Sequence, residues 1–462
     1  MSADSVVMKF GGTSVADADA MTRVVNIVRR QWESQPKGSK PPVVVVSALS
    51  KVTDGLIRAA DLARSGDAEK SAALIVELLE RHLAIARNLT TSQRAEQLVK
   101  ALTSQFAELG GQVVAMAAAK QVTAANHDLV VATGELASSR IVAAAFQERN
   151  LPAVWVDSRQ VLVTDSEHTL AAPDMDASCG RAREVLAPIV ARGEIPILGG
   201  FIAATNAGLT TTLGRGGSDY SAAIFGACLD VGEIQIWTDV DGMLTADPRV
   251  VPSPQVVPHL SFEEASELAY FGAKVLHPAT IVPAVSKNIP VRILNSRQPS
   301  NPGTLITSEA RRNGHLAALA CKRDVTVVDI TSTRMFGAHG FLRRLFEVFE
   351  RFKTAVDVVT TSEVSVSVTV DDARRLEDIV RELSAFSEVS TEGQMAIVSV
   401  VGDRLHDDPG VFARAIVAIE GIPLRLVSQA SSRRTFTFVL HDAAVPEAMT
   451  RLHSAFFEAP VR

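Results

Sequence analysis

Two adjacent glycines behind a lysine, in Lys9-Phe10-Gly11-Gly12-Thr13-Ser14, are the first residues whose types and spacing could do chemistry. Glycines let a backbone pass close to an anion, and the N–H groups of a following helix can hold phosphate oxygens. Lys9 would bring a positive charge to the same place. The spacing is not that of the longer P-loop, and a lone Gly-Gly is more often a tight turn. A second cluster, Leu213-Gly214-Arg215-Gly216-Gly217-Ser218-Asp219, precedes an apolar helix. It reads equally as an anion-binding helix start or as a plain cap.

Glu135 follows Thr133-Gly134, where an acidic residue in a first helical turn is the bland reading. Further on, Trp237-Thr238-Asp239-Val240-Asp241-Gly242 is followed by Asp247-Pro248-Arg249. Asp-Gly and Asp-Pro signal turns whatever the function, yet a nucleotide site needs polar groups for base and ribose, and Arg249 suits phosphate. Lys274 follows Gly272-Ala273, a pair small enough for a ligand to approach, while His277 before Pro278 reads as the close of a helix.

Short apolar runs must position these residues: Val6 to Phe10, Val43 to Ser47, Leu129 to Thr133, Ala153 to Asp157, Ile195 to Leu198 and Glu233 to Thr238. Helical patterns alternate with them, from Asp17 to Trp32, over most of residues 54 to 125, after Glu135, near Ala177 to Arg192 and from Ser218. That alternation predicts an α/β fold with a largely parallel sheet covered on both faces. The glycine clusters and Glu135 then fall at strand-to-helix junctions, and one sheet edge would gather them.

Composition sets the outer bounds. At 462 residues the chain is too long for a single core, and 47% hydrophobic with 21% charged residues reads as soluble and globular. The net charge of −6 is dispersed and no basic block could track a phosphate backbone, which argues against nucleic acid as a partner. Cys179, Cys228 and Cys321 lack the paired spacing of a zinc site or a disulfide framework and read as buried thiols in a reducing compartment. The N-terminus lacks a signal-like succession and the apolar runs are too short to span a bilayer, so a cytoplasmic protein without membrane association is expected.

After about Leu305 the pattern changes to strand, helix, strand, strand, twice over. An offset of 70 residues sets Gly340-Phe341-Leu342 over Gly410-Val411-Phe412, and Thr361-Ser362 over Ser431-Ser432. The same offset sets Val366, Val368 and Val370 over Phe436, Phe438 and Leu440, and Val327-Val328 over Ile397-Val398. Two unrelated segments would not be expected to keep helix entry, turn and strand phase together, so a duplication is the better reading.

Taken together, these segments resemble the aspartokinases of the amino-acid kinase family, over most of the chain and most closely the lysine-sensitive monofunctional members. The resemblance implies a three-layer kinase domain over residues 1–305 and two α+β ACT domains over 315–390 and 391–462, with strands exchanged between the two. It implies that ATP phosphorylates the β-carboxylate of L-aspartate to 4-phospho-L-aspartate, the first step toward lysine, threonine and methionine. That carboxylate is already ionised at neutral pH and needs no general base. Catalysis then rests on positioning and on neutralising charge.

By this resemblance Lys9 and Asp219 are catalytic, and Ser47, Thr53, Glu135, Arg215 and Ser218 hold aspartate. Gly11, Gly12, Thr238, Asp239, Leu244, Arg249 and Lys274, with Lys9, line the ATP site, although Leu244 stands where relatives often carry an aromatic residue. Mg²⁺ arrives with the nucleotide rather than at a dedicated protein site. Lysine is expected to bind and inhibit near Met335, Gly340, Phe341, Leu342, Asp357, Thr361, Ser362 and Glu363. Only the first repeat has acidic groups there, since Asp357 lies over Val427 and Glu363 over Arg433. Ala338 stands where lysine-sensitive relatives often carry serine. A homodimer or larger homo-oligomer without a fused dehydrogenase is also implied, and the alternative is an inactive amino-acid sensor.

Overall fold

The computed structural model describes residues 5–36, 38–272, 278–310, 314–335, 339–429 and 433–458; Lys274, His277 and Ala338 lie outside them. The chain divides into two compact units. The first comprises Met1–Met243, Pro258–Phe262 and Val275–Glu309, and the second Leu244–Val257, Glu263–Lys274 and Ala310–Arg462.

The first unit opens with β1 (Val6–Phe10), α1 (Ala18–Glu33), β2 (Val43–Val46), α2 (Val52–Arg64), α3 (Ala68–Leu89), α4 (Ser92–Ala119) and α5 (Ala124–Glu148). There follow β3 (Ala153–Val156), β4 (Val163–Thr164), α6 (Met175–Ala191), β5 (Ile195–Gly199), β6 (Ile202–Thr205), β7 (Thr210–Thr212), α7 (Gly217–Leu229) and β8 (Glu233–Thr238). After β9 (His259–Ser261) and α8 (Phe262–Tyr270), which leads into the second unit, come α9 (Val282–Ser286), β10 (Val291–Asn295) and β11 (Thr304–Thr307).

Eight strands form one sheet in the order β3-β5-β2-β1-β8-β10-β11-β9. All neighbours are parallel except β10 and β11. β2 and, Lys9 apart, β1 are apolar runs because helices cover both faces, and both strands are buried at every position. α5 packs on β2, β3 and β5 and gathers α1 to α4 on its side, whereas α6 and α7 cover the opposite face. α1 shows how sequence dictates this. Asp17 accepts the Ala20 N–H at 2.8 Å as its cap, and Met21, Val24, Val25 and Val28 present one apolar stripe to the core.

Two sequence expectations fail here. Leu129 to Thr133 is not a strand but the second turn and a half of α5, capped by Thr123 through the Asn126 N–H at 3.1 Å. A helix buried from Asp128 onward on nearly every side has no amphipathic period, so its apolar run resembles a buried strand. Among the described helices α5 alone is long and apolar enough to cross a membrane, and 89% of that stretch is buried in the protein. The cysteines also differ from expectation: Cys179 on α6 and Cys228 on α7 are joined by a disulfide, leaving Cys321 free. Facing helices brought them together, which linear spacing does not reveal. The argument from cysteines for a reducing compartment therefore falls.

The second unit holds β12 (Leu316–Thr331), α10 (Phe341–Arg351), β13 (Val359–Thr361), β14 (Ser365–Val370), α11 (Leu376–Leu383), β15 (Glu388–Gly402), α12 (Pro409–Ala418), β16 (Leu424–Gln429), β17 (Thr435–His441) and α13 (Val445–His453). Its six-stranded sheet runs β13-β14-β12-β15-β17-β16, a palindrome of the two repeats about the long central pair. Each central strand serves both halves. Thr326 to Thr331 of β12 pair with β14, while Met395 to Val401 of β15 pair with β17. The remaining ends, Leu316 to Lys322 and Glu388 to Glu392, pair across the middle with the other long strand. The register slips between Lys322 and Val327, at the crossing from one half to the other.

Separate cores follow, one around Val328, Leu345, Phe349, Val366 and Ile379 and one around Val398, Val411, Phe436, Phe438 and Met449. Each such buried side chain contributes about 1.5–3 kcal/mol. Ala246 and Val251 join the second core, and the Leu319 N–H donates to the Thr245 carbonyl at 2.7 Å.

Candidate active site

Lys9 sits inside β1, only 8% exposed, between fully buried Met8 and Phe10. An ammonium there needs a partner, because desolvating an unpaired charge costs several kcal/mol. Its partner is Asp219, with Lys9 Nζ 2.6 Å from Oδ1. Asp219 occupies the first turn of α7, so the ion pair ties that helix's N-terminus to the β1 strand end. α7 starts from Gly216 at φ 71°, a left-handed backbone that a side chain would strain, and it has no side-chain cap. The Gly217 and Asp219 N–H groups donate to the Gly214 and Gly216 carbonyls at 3.0 Å, and the positive end of the helix dipole faces an anion at this end.

Lys9, Gly12, Ser47, Thr53, Glu135, Arg215, Ser218 and Asp219 line one cavity of about 630 Å³ in the first unit. Ser47 follows β2 and donates its N–H to the Phe10 carbonyl at 3.0 Å, which extends the parallel pairing into the loop. Gly11 lies one residue outside the cavity lining, its N–H bonded to the Trp237 carbonyl at 3.0 Å. Arg215 is exposed and has no ion-pair partner among the described residues.

Glu135 reaches the cavity from the middle of α5 rather than from a helix start. It is 3% exposed, and burial pushes its carboxyl up to about 8 against hydrogen bonds from the Ala48 and Glu135 backbone and the nearby charge of Lys9. Its Oε2 is buried without a partner among the described residues. A buried acid with one free oxygen, facing a cavity, suits a cationic ligand group.

Sequence reasoning missed Phe201, His127, Thr169 and Thr212, which also line the cavity. Phe201 is held at φ 66°, and Gly199-Gly200 before it was the available signal. His127 lies two turns before Glu135 on the same face of α5, with Nδ1 buried and unpartnered among the described residues. Asp128 beside it is fully buried and accepts from His168 Nδ1 at 2.9 Å, the Thr169 N–H at 3.0 Å and Thr212 Oγ1 at 2.6 Å. That network anchors the loop and strand carrying Thr169 and Thr212.

Of the candidate nucleotide residues, Thr238 ends β8 and Asp239 follows it in the first unit, where Ser296 donates its N–H to the Thr238 carbonyl at 2.8 Å. Leu244 and Arg249 belong to the second unit. Leu244 pairs with Val256, and Arg249 is exposed but held by Asp247, Nη2 to Oδ2 2.6 Å. Among the described residues no cluster of three metal-ligating side chains occurs.

The candidate effector residues lie on several elements of the first repeat. Gly340 is the left-handed N-cap of α10 and lines a cavity of about 540 Å³ with Arg343, Arg344 and Phe386, but Asp357, Thr361, Ser362 and Glu363 do not. Met335 and Phe341 pack on the first repeat's core, and Leu342 is 41% exposed. Thr361 ends β13, with Ser362 and Glu363 exposed in the turn to β14. The side chain of Asp357 is 1% exposed and already bonded within the protein.

Comparison with known proteins then bears on these geometries. The amino acid kinase family profile matches residues 4–295 and an ACT domain profile matches residues 398–456. Lysine-sensitive aspartokinase 3 of Escherichia coli is 35% identical, with 98% of this chain and 99% of that protein aligned. The chloroplastic aspartokinase 3 of Arabidopsis thaliana is also 35% identical, over 98% of this chain and 81% of that protein. Among solved structures, E. coli aspartokinase III with aspartate and ADP (R-state) superposes with a TM-score of 0.82 at 34% identity, covering 98% and 99% of the two chains. The same enzyme with lysine and aspartate (T-state) gives 0.80 at 34%, covering 98% and 100%.

Proposed function

The chain belongs to the amino acid kinase family as an aspartokinase, and from that premise we propose how its residues carry the reaction and its control. The enzyme uses ATP to phosphorylate the β-carboxylate of L-aspartate. A carboxylate oxygen attacks the γ-phosphorus, a new O–P bond forms, and the bond to the β-phosphate oxygen breaks to release ADP. No proton has to leave the nucleophile, so the protein's work is positioning and charge neutralisation.

The observation that carries the assignment of roles is the Lys9–Asp219 pair at the floor of the cavity, with Glu135 and Arg215 among its lining residues. Lys9 neutralises charge on the transferring phosphoryl group, and Asp219 holds that ammonium in place. Arg215 pairs with a carboxylate of aspartate, Glu135 takes its ammonium, and Ser47, Thr53 and Ser218 supply hydrogen bonds. The uncapped start of α7 receives negative charge. Gly11, Gly12, Thr238, Asp239, Leu244, Arg249 and Lys274 serve the nucleotide, whose phosphates bring Mg²⁺ with them. Arg249 must then share its guanidinium between Asp247 and phosphate.

Residues 315–390 and 391–462 act as regulatory ACT domains that respond to lysine through the first repeat, and the enzyme works as a homodimer or larger homo-oligomer. Trapping the acyl phosphate with hydroxylamine tests the activity: product must depend on both ATP and aspartate. Its absence from purified protein would restore the inactive-sensor alternative, which nothing in the structure or the comparisons favours. Adding millimolar lysine to the same assay tests regulation, and a rate indifferent to lysine but lowered by threonine would keep the domains and replace the ligand.

A further inference from the structure

Asp357 was expected to receive an effector's cationic group, yet in this conformation it has a cationic partner from its own chain. Lys322 Nζ lies 2.8 Å from Asp357 Oδ1 and 2.7 Å from Asp371 Oδ2. The same ammonium stands 5.0 Å from the centroid of the Tyr270 ring, and the Tyr270 hydroxyl donates to Asp357 Oδ1 at 2.7 Å. Two carboxylates and an aromatic face around one ammonium are the chemistry that recognises a primary alkylamine. Burial, followed by the hydrogen bond to Asp357, raises the Tyr270 phenol well above its usual value, so it stays a donor.

Two further observations distinguish this cluster from an ordinary surface ion pair. Asp357 Oδ2 is buried and has no hydrogen-bond partner among the described residues, so the carboxylate keeps unused accepting capacity at a buried position. Lys322, paired with Ile397, is also the last residue before the β12–β15 register slips, with Asp324 close by at φ 59°. A side chain anchored there can be withdrawn without breaking a continuous ladder.

We propose that Asp357, Asp371 and the Tyr270 ring form an alkylammonium site filled by Lys322 of the same chain, and that an aminoalkyl effector takes Asp357 by displacing Lys322. The displacement rests on the reading that the effector binds at Asp357; the site itself does not. A tethered lysine competes at a high effective concentration, so it sets how much free effector is needed. Displacement exchanges the ammonium that faces the ring of Tyr270, the last residue of α8, while its hydroxyl still donates to Asp357.

Chemical rescue tests the site. Lys322→Ala leaves a buried carboxylate uncompensated and opens space for the three carbons and nitrogen of propylammonium. The melting temperature of the full-length variant should rise with propylammonium, that of wild type should not, and propanol should rescue neither. If the variant folds only with the amine present, that is the same positive result. Lys322→Met, whose thioether refills the space, should not respond. A folded Lys322→Ala protein indifferent to propylammonium would overturn the site.

Calorimetric titration with L-lysine tests displacement. Lys322→Ala should bind lysine about tenfold or more tightly than wild type. Equal or weaker binding than a wild type that does bind lysine would overturn displacement. Rescue by propylammonium with no lysine binding by either protein would overturn the effector reading alone.

Discussion

At the scale of single residues, the chemistry turns on charges buried beside a cavity. Glu135 is the sharpest case, because burial pushes its carboxyl up to about 8. Below that pH the group is largely neutral and a poor partner for the substrate ammonium, so binding must release a proton. The apparent KM for aspartate should therefore fall about tenfold per pH unit as pH rises toward 8 and level off above it. Glu135→Gln should flatten this profile and raise KM by about one to two orders of magnitude, since its amide cannot supply the charge. A KM profile that keeps its slope in the variant would assign the titration elsewhere. Lys9→Met should act on turnover instead, lowering kcat by about 10²–10³, because the lost charge matters most when the phosphoryl group is in flight. Lys9, Asp219 and Arg215 were singled out through the family resemblance rather than by either glycine cluster alone, and they line one cavity. Phe201 and His127 were not: an aromatic after a Gly-Gly turn and a histidine on an apolar helix usually belong to the core, and only the fold points them at the cavity.

At the scale of elements, the strands of the parallel sheet were readable because burial on both faces leaves apolar runs, as in β2 and, Lys9 apart, β1. The same burial disguised α5, whose central residues have no solvent face to mark a helical period. That helix also brings Glu135 to the site by a close approach. A Cβ on Gly134 would stand 2.8 Å from the Ala48 Cβ, in the loop that carries Ser47. Alanine is favoured over glycine in a helix by about 1 kcal/mol, but overpacking against a backbone-anchored methyl costs about 1–3 kcal/mol, so the clash should win. Gly134→Ala should lower the melting temperature and raise the aspartate KM together as the Ser47 loop shifts. Unchanged KM in a destabilised variant would show that the loop yields without moving the site.

α3 offers a separate test through His82, which is fully buried, donates from Nδ1 to the Leu78 carbonyl at 2.6 Å, and has an Nε2 unpartnered among the described residues. Desolvation lowers its pKa to about 4 from the ordinary 6.5. The unfolded chain therefore takes up a proton below 6.5 that the folded chain refuses until about 4. The stability that neutral His82 confers is complete above 6.5 and declines as pH falls to 4, by up to about 3 kcal/mol. His82→Leu should remove one proton's worth of slope from the acid limb of a denaturation series. An unaltered limb would mean that the histidine is not neutral and buried as described.

At the scale of the whole molecule, the questions are which parts are tied covalently and which unfold together. The Cys179–Cys228 disulfide closes a sequence separation of 49 residues between α6 and α7, where chain entropy alone predicts about 4 kcal/mol of stabilisation. Reductant should lower the melting temperature of wild type but not of a Cys179→Ser, Cys228→Ser protein. In the regulatory sheet the duplication was legible as a constant offset of 70, because paired strands and helix starts keep their phase when a unit is copied. The sharing of strands was less legible, since nothing in the repeat says that β12 and β15 each run through both halves. That sharing makes the two halves one cooperative object. Phe438 is fully buried in the second half, and Phe438→Ala should cost about 3–5 kcal/mol. Were the halves independent, only amides such as Val398 and Val439 would lose hydrogen-exchange protection. Because Val327 to Thr331 of β12 are held on one side by β15, loosening β15 must also loosen β12 and, through it, β14. Native-state exchange should therefore show Val366 and Val368 losing protection in step with Val398. Protection in the first half that survived Phe438→Ala intact would mean that the central pair holds without its second core, and that an effector signal could stop at the midline of the sheet.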